Sequence, residues 1–420
     1  MEALNMGSGL RAVFVNHVHP DSRHVSAMRM KHFAHAFAEQ GNKIVLLTET
    51  LNPADPAKPL AQVASELQNY DWSQPFILAC RPQHAPLLQK ARDGKLSTGL
   101  RKSVLACSYI FRSGVFSDWR NGASAYLPLL AETFRPQIVW GTFGNTDAWN
   151  ISRKLSGLSG CPWVADLKDN WEAFMPTGLA RLISKRYCGA AHMTTFSESH
   201  RHQADRWFPQ EKTVIYSGFE ENIVPALHKD RQSFDILLTG SIYDEAYLAR
   251  LIYGLRDWLE TSQEAPPREK VNFMYAGNDG EKVARQVGSL KYLCKITIND
   301  FMDYGALLSL QQEAWLNVYI RTPKNLFQHK ILELLAAERP IISFPGESLE
   351  AKKISDQVGG TLFPCESEED IFQALQEISS SSLRQMDVRR INAYSWQAQA
   401  AELTGLFAGL ISENKCGGTV

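Results

Sequence analysis

The sequence has few cysteines, and none of them lies close to another. Seven cysteines are spread over 420 residues, and no two stand closer than 27 positions apart. Zinc sites and thioredoxin-like redox motifs need closely spaced cysteine pairs, so both classes of site are excluded. Scattered thiols are typical of reduced proteins, in which cysteine acts as a small core residue.

Long apolar runs and a net charge are also missing. No run of 18 apolar residues occurs, so no membrane-spanning helix is expected. The first six residues lack the basic start and the apolar stretch of a secretory signal. Lys and Arg total 44 against 45 Asp and Glu, which does not favour a basic field for nucleic acid. We therefore expect a cytoplasmic protein without a nucleic-acid partner.

Two catalytic fingerprints are absent as well. No Gly-x-Ser-x-Gly elbow occurs, which leaves acyl hydrolysis without support. No Gly-x-Gly-x-x-Gly follows the first predicted strand, which argues against dinucleotide binding there.

Short β-branched runs alternate instead with amphipathic segments, and this rhythm predicts two doubly wound α/β domains. The first run, at residues 11–15, precedes a helical pattern from about residue 26. We place the N-terminal Rossmann-like domain at residues 1–220 and a second one at 221–392, with the polar stretch 221–233 as linker. The segment 393–420 should hold a helix that crosses back to the first domain. Further strands are predicted at 43–47, 136–140, 162–165, 190–196, 212–216, 234–238, 271–275, 315–320, 340–344 and 361–363.

The segment from residue 81 to residue 120 is strongly basic. It contains eight Lys or Arg and two acids, with apolar residues interleaved. A solvated helical face explains the pattern. Contact with an anionic membrane surface or a phosphate-bearing acceptor explains it too, and nucleic acid is a third alternative.

Three segments carry a resemblance to a known family. They are Pro162-Trp163-Val164-Ala165-Asp166-Leu167-Lys168-Asp169-Asn170-Trp171, the run from Lys330 to Pro340 with its Lys-x-x-Glu-x-x-Ala start, and Tyr394-Ser395-Trp396 with Ala400. Together they resemble a GT-B glycosyltransferase of the family 4 type, over nearly the whole chain. The resemblance implies two Rossmann-like domains facing a central cleft.

The resemblance also implies an activity. It implies a hexosyltransferase-like enzyme that moves a sugar from a nucleotide-sugar donor to a glycan, a lipid-linked or a small-molecule acceptor. Retention of configuration and a role in bacterial-type polysaccharide or glycoconjugate synthesis are implied too. The nucleotide sugar is a substrate, so neither a cofactor nor a metal is expected. The enzyme would be cytoplasmic, with a peripheral contact to the inner face of the membrane as an option.

The donor site is expected in the second domain. Lys330 and Glu333 lie three apart on a predicted helix and so share one face. That helix follows a strand-end loop, where open α/β sheets bind ligands. Resemblance assigns the ribose to Glu333 and the phosphates to Lys330, whereas a surface ion pair is the alternative. The other donor-binding candidates are Gly240, Ser241, Tyr243, Gly277, Asn278, Asn325, Leu326 and Phe327.

Some positions depart from the family pattern. Asn325 stands where many members have a Glu that faces the donor sugar, and Ser241 and Ala246 stand where they have an Arg and a Lys on the diphosphate. Lys330, with Arg321 and Lys324, is expected to supply the missing positive charge.

Lys330 is also a catalytic candidate, whereas the acceptor residues and the other catalytic residues are expected in the first domain. Asp166, Lys168 and Asp169 follow a strand, and two carboxylates beside a cation can orient hydroxyls or transfer protons. A helix N-cap or a structural ion pair is the alternative interpretation. Two histidines two apart have no third ligand in view, so metal binding is not predicted. The acceptor-binding candidates are His17, His19, Arg29 and Gly144.

Two other functions stay open. A catalytically inactive GT-B scaffold would explain the missing diphosphate clamp. A nucleotide-sugar epimerase of the same fold would act on the donor without an acceptor.

Overall fold

The computed structural model describes residues 9–22, 24–176, 178–220, 233–263, 265–300, 302–380 and 388–417. The chain divides into two compact units. Unit one comprises residues 1–217 with 396–420, and unit two comprises residues 218–395. The predicted linker falls almost entirely outside the described residues.

Unit one is built on a parallel sheet, which has seven strands within the described ranges. The strand order is β3-β2-β1-β4-β5-β6-β7, so the order reverses between β1 and β4. Both faces are covered, which explains why these strands are apolar runs rather than alternating ones. The strands are β1 (Arg11–Val15), β2 (Lys43–Glu49), β3 (Phe76–Cys80), β4 (Ile138–Thr142), β5 (Trp163–Leu167), β6 (His192–Thr195) and β7 (Lys212–Val214).

The helices of unit one pack on both faces of this sheet. One face carries α1 and α18, whose Phe37 and Phe407 rings lie 5.7 Å apart over Phe14. The other face buries Trp119, Trp149 and Val139. The helices are α1 (Val25–Glu39), α2 (Leu60–Gln68), α3 (Pro86–Arg92), α4 (Thr98–Arg112), α5 (Ser117–Ser124), α6 (Leu127–Leu129), α7 (Thr146–Ser159), α8 (Trp171–Phe174), α9 (Ala180–Ser184), α10 (Glu198–Asp205) and α18 (Trp396–Gly417).

Unit two repeats this architecture. Its described residues form a parallel sheet of six strands in the order β10-β9-β8-β11-β12-β13, which reverses between β8 and β11. The strands are β8 (Phe234–Thr239), β9 (Val271–Ala276), β10 (Lys295–Asn299), β11 (Leu316–Ile320), β12 (Ile341–Phe344) and β13 (Leu362–Pro364). The helices are α11 (Glu245–Thr261), α12 (Gly280–Gln286), α13 (Tyr304–Glu313), α14 (Lys330–Ala336), α15 (Leu349–Val358), α16 (Glu368–Ser380) and α17 (Val388–Asn392).

The predicted fold class is confirmed: both sheets are parallel and both units are α/β. Two strands were not predicted, β3 and β10, although both are short β-prone runs. β3 pairs in register with β2, and β10 with β9, at the outer edge of each sheet. None of the described helices combines the length and the apolar character that spanning a membrane requires.

Candidate functional site

The candidate donor residues of unit two lie where the strand order reverses. β8 and β11 are neighbours in the sheet, and the loops that follow them begin at Gly240 and Arg321. The carboxyl ends of strands at such a switch point are where open α/β sheets bind ligands.

Lys330 is the cation that reaches this point. Its Nζ lies 3.4 Å from Thr239 Oγ1, and a Cβ at position 240 would collide with the ammonium group. Gly240 also has φ 99°, a conformation that side chains disfavour. Glycine is therefore required there for the lysine head to approach the backbone. Burial lowers the pKa of Lys330, although Glu333 raises it. No described carboxylate forms an ion pair with Lys330, so its ammonium group is available to an anion bound here.

Glu333 lies one turn further along α14 and is buried. The Nε2 atom of His329 lies 2.9 Å from its Oε1 atom, an i,i+4 pair. Tyr304 is affected by the same carboxylate. Burial and then the charge of Glu333 raise the pKa of the Tyr304 phenol. His329 and Tyr304 were not predicted. The His-x-x-x-Glu spacing was a usable signal for the first, whereas Tyr304 comes from a different helix.

The loops after β8 and β9 are tied together by side chains. Tyr275 donates its hydroxyl to the Gly240 carbonyl at 2.8 Å and accepts from the Asp279 amide at 3.0 Å. A side chain at Gly277 would collide with the Tyr275 hydroxyl. Gly277 is thus required for this contact. Ser241, Tyr243 and Asn278 are exposed at the same edge.

Arg321 links the loop between β11 and α14 to Glu347. Arg321 donates from Nη2 to the Asn325 carbonyl at 3.2 Å, and its Nε lies 3.5 Å from Glu347 Oε1. Burial raises the pKa of Glu347 to about 7. Hydrogen bonding with Ser348 and the charge of Lys352 act in the opposite direction, but burial prevails.

The other members of this loop differ in exposure. Asn325 and Lys324 are exposed, Leu326 is half-buried and Phe327 is buried. The polar positions thus face solvent, while the phenyl ring is buried.

In unit one, Asp166 forms a saturated network. It accepts from Arg29 at Nε and Nη2, at 3.0 and 2.8 Å, and from the hydroxyls of Thr142 and Thr194 at 2.7 and 2.8 Å. The two threonines are its cross-strand neighbours in the sheet. All four acceptor positions of the carboxylate are occupied. Asp166 and Arg29 therefore form a buried ion pair, and their roles in catalysis and acceptor binding stay predictions.

Lys168 and Asp169 converge on Gly144. A Cβ at position 144 would lie 3.8 Å from Lys168 Cε and 3.9 Å from Asp169 Oδ2. Burial lowers the pKa of Lys168 and raises that of Asp169, although each group's charge opposes the other's shift. These two groups are suited to proton transfer or hydroxyl orientation. The N-cap of α8 is Asn170 and not either aspartate.

The two histidines after β1 have separate environments. His17 pairs with Glu49 and packs on the ring of Phe116, with centroids 4.0 Å apart. His19 accepts from the Asp21 amide at 3.2 Å through Nδ1, and burial lowers its pKa. Within the described ranges, no group of three His, Cys, Asp or Glu is arranged to hold a metal ion.

The fold of the chain is similar to that of several solved structures. Anabaena HepE in complex with UDP and glucose superposes with a TM-score of 0.59 at 13% identity, covering 95% of this chain and 100% of that one. A glycosyltransferase from Rickettsia africae gives 0.59 at 10% identity, covering 96% and 99%. A putative UDP-N-acetylglucosamine 2-epimerase from Listeria monocytogenes gives 0.57 at 10%, covering 97% and 98%. The fold is GT-B.

No protein-family model and no curated protein sequence matches the chain. The likeness to the family 4 type within GT-B therefore stays a prediction, as do the roles of the individual site residues.

Proposed function

We propose that the protein is a glycosyltransferase that uses a nucleotide-sugar donor, held by unit two. The observation that carries the proposal is the position of Lys330, whose ammonium group abuts Gly240 at the switch point without a carboxylate partner among the described residues. Glu333, fixed by His329, lies one helical turn away. A diphosphate and a ribose diol match this cation and this carboxylate in charge and hydrogen bonding.

The neighbours support a uridine nucleotide as donor. The Anabaena structure contains UDP and glucose, and the Listeria protein is described as acting on a UDP sugar. We infer that the donor of this chain is a UDP-hexose, and that a glycan, a lipid-linked sugar or a small molecule accepts the hexose. Polysaccharide or glycoconjugate synthesis is the pathway class that uses such products.

Unit one supplies the candidate acceptor groups in this proposal. Lys168 and Asp169 meet beside Gly144 at the carboxyl end of the sheet. Asp169, whose pKa burial raises, is placed to accept a hydroxyl proton or to hold the acceptor. Lys330 stabilises the charge that develops on the departing phosphate. Retention of the anomeric configuration belongs to the same proposal and needs no protein nucleophile.

The test has two stages. Calorimetry with uridine, UDP, GDP and ADP identifies the base and the part of the affinity that comes from the phosphates. Incubation with the matching nucleotide sugar and a panel of acceptors then shows whether a glycoside forms. Absence of UDP affinity would overturn the donor assignment, whereas UDP binding without transfer would point to the inactive scaffold that Asn325 and the missing Arg/Lys pair suggest.

An epimerase is the second candidate, and the Listeria structure favours it. An epimerase converts the donor without an acceptor. Time courses of the nucleotide sugar alone, followed by NMR of the anomeric and C2 protons, separate the two activities. Acceptor-independent epimerisation or release of UDP at the rate of the complete reaction would contradict glycosyl transfer.

A further inference from the structure

Helix α4 has apolar residues on the side that faces solvent. Leu100, Cys107 and Phe111 follow the spacing i, i+7, i+11 and therefore form one stripe, while Val104 lies beside it and packs partly against the core of unit one. Leu100 is 51% exposed and Phe111 is 81% exposed, and Cys107 is exposed as well. A surface helix normally directs such a stripe into the protein.

The opposite side of α4 already forms the contact with the core. Ser108 and Tyr109 are buried, and Leu105 packs against the core of unit one. The helix is also fastened at its end, because Arg186 donates to the Tyr109 and Ile110 carbonyls at 2.7 and 2.9 Å. The solvent-facing stripe is therefore a second, separate apolar face on a fixed helix.

The segment that contains this stripe is rich in exposed cations. Two of the eight basic residues between 81 and 120 are withdrawn into unit one, since Arg92 pairs with Asp118 at 2.6 Å and Arg120 with Asp147 at 2.9 Å. The one exposed acid of the segment is Asp93, which is bound to Lys95 at 3.1 Å. The other six basic residues are exposed, namely Arg81, Lys90, Lys95, Arg101, Lys102 and Arg112.

We propose that the exposed face of α3 and α4 docks on an anionic lipid bilayer, with Leu100 and Phe111 in the headgroup region and the cations on the lipid phosphates. Leu87 of α3, 55% exposed, and Ile110 of α4, 39% exposed, extend the apolar area. An apolar stripe bordered by Lys and Arg is the pattern by which helices lie in a membrane interface.

Other occupants fit this face less well. Two copies of the chain meeting here would bring six exposed cations against six. A nucleic acid would satisfy the cations, but the exposed side chains of Leu100 and Phe111 offer it no hydrogen bonds. The sequence alone left open a solvated face, an anionic membrane surface or phosphate-bearing acceptor, and a nucleic acid, and the exposure of Phe111 favours the membrane.

The experiment uses the full chain and vesicles without any donor or acceptor, so its outcome is independent of the proposed sugar transfer. Sedimentation with vesicles of phosphatidylcholine and phosphatidylglycerol at 3:1, in low salt, should pull down the protein. Pure phosphatidylcholine or about 0.5 M salt should release it. Lys102→Glu with Arg112→Glu should weaken binding at least about 30-fold, and Phe111→Ser about tenfold.

Matched control variants carry the same change of charge, or the same loss of an aromatic ring, at exposed positions outside α3 and α4. Lys154→Glu with Lys353→Glu removes the same charge at exposed positions, and Tyr292→Ser removes an aromatic side chain that is 88% exposed. Both controls should bind vesicles like the unaltered chain. A polarity-sensitive dye on Cys107, with Cys188 and Cys416 changed to Ser, should shift to the blue on anionic vesicles.

Three results would overturn the proposal: no sedimentation with anionic vesicles at low salt, equal losses in the patch and control variants, or no dye shift. Self-association through α4 in sedimentation velocity, or protection of α4 by RNA, would assign the face to one of the other partners.

Discussion

Replacing Lys330 by Met tests the anion site most directly. The substitution keeps most of the apolar stem, which packs at the end of β8, and removes the ammonium group beside Gly240. Within the described part of the chain, the hydrogen bond that is lost goes to Thr239 Oγ1 at 3.4 Å, a long contact, so little structural stability depends on it. The variant should therefore keep the thermal midpoint of the unaltered chain.

The effect on a diphosphate should be much larger. A charge-assisted hydrogen bond contributes roughly 1.5–3 kcal/mol, which corresponds to about a 10- to 150-fold change in the dissociation constant. Uridine lacks the phosphates, so its affinity should barely change. Calorimetry of UDP and uridine on both proteins gives the comparison.

The same cation predicts a pH dependence. Burial lowers the pKa of Lys330, and a bound diphosphate favours the charged form and raises that pKa again. Above the pH at which the terminal phosphate of UDP is fully ionised, UDP affinity should therefore fall as the pH rises through the pKa of the unliganded lysine, with proton uptake on binding. Lys330→Met should show neither the fall nor the uptake.

Two outcomes would refute this reasoning. Equal weakening of UDP and uridine would make Lys330 a structural residue. An unchanged UDP affinity would transfer the charge role to Arg321 or Lys324. Gly240→Ala is an independent check, since the added Cβ would displace the Lys330 ammonium group. The substitution should weaken UDP binding although the lysine itself is retained.

Further substitutions test the neighbouring groups. Glu333→Ala should abolish the thermal shift caused by uridine and UDP and leave the midpoint of the free protein nearly unchanged, and an equal shift in the variant would disprove the ribose contact. Glu347 has a raised pKa in the folded state, so the folded protein binds the Glu347 proton more tightly than the unfolded chain does. The free energy of unfolding should therefore fall as the pH rises from about 5 to about 7. Glu347→Gln should remove this slope and gain up to about 3 kcal/mol above pH 7 in urea titrations. Arg29→Met leaves Asp166 charged and buried without its partner, so it should cost about 3–5 kcal/mol in the same titrations, and a smaller loss would mean that water reaches Asp166. Asp169→Asn should reduce sugar transfer while UDP affinity stays constant, and equal losses in both would remove Asp169 from the acceptor side.

Much of the fold was accessible from the sequence because parallel strands buried on both faces appear as apolar runs. The β1 prediction at residues 11–15 matches the observed strand, and the predicted start of β8 at residue 234 matches as well. The missed strands both lie at sheet edges. β10 has Lys295 and Asn299 at its ends, and such polar ends make an edge strand look like a loop.

The shared helix face of the two donor-site candidates was predictable because its geometry is local. Lys330 and Glu333 share a helix, so a spacing of three places them on one face wherever the rest of the chain goes. Even here the sequence indicated an ion pair as the alternative, and the structure pairs Glu333 with His329 instead. The contact of Lys330 with Gly240 spans ninety positions, and no periodicity encodes it.

The acceptor side shows the opposite case, since its charges are paired across long sequence separations. Arg29 and Asp166 are 137 residues apart. The sequence alone does not distinguish an exposed basic residue from a buried one. Arg92 and Arg120 illustrate the same point within the basic segment, because their partners Asp118 and Asp147 withdraw them from the surface. Which cations face solvent is decided by tertiary pairing, and it is the exposed remainder, not the total charge, that a membrane or an acceptor phosphate would meet. A charge count along the sequence therefore overstates the field at the surface, while the exposure of a single phenyl ring at Phe111 carries information that the count lacks.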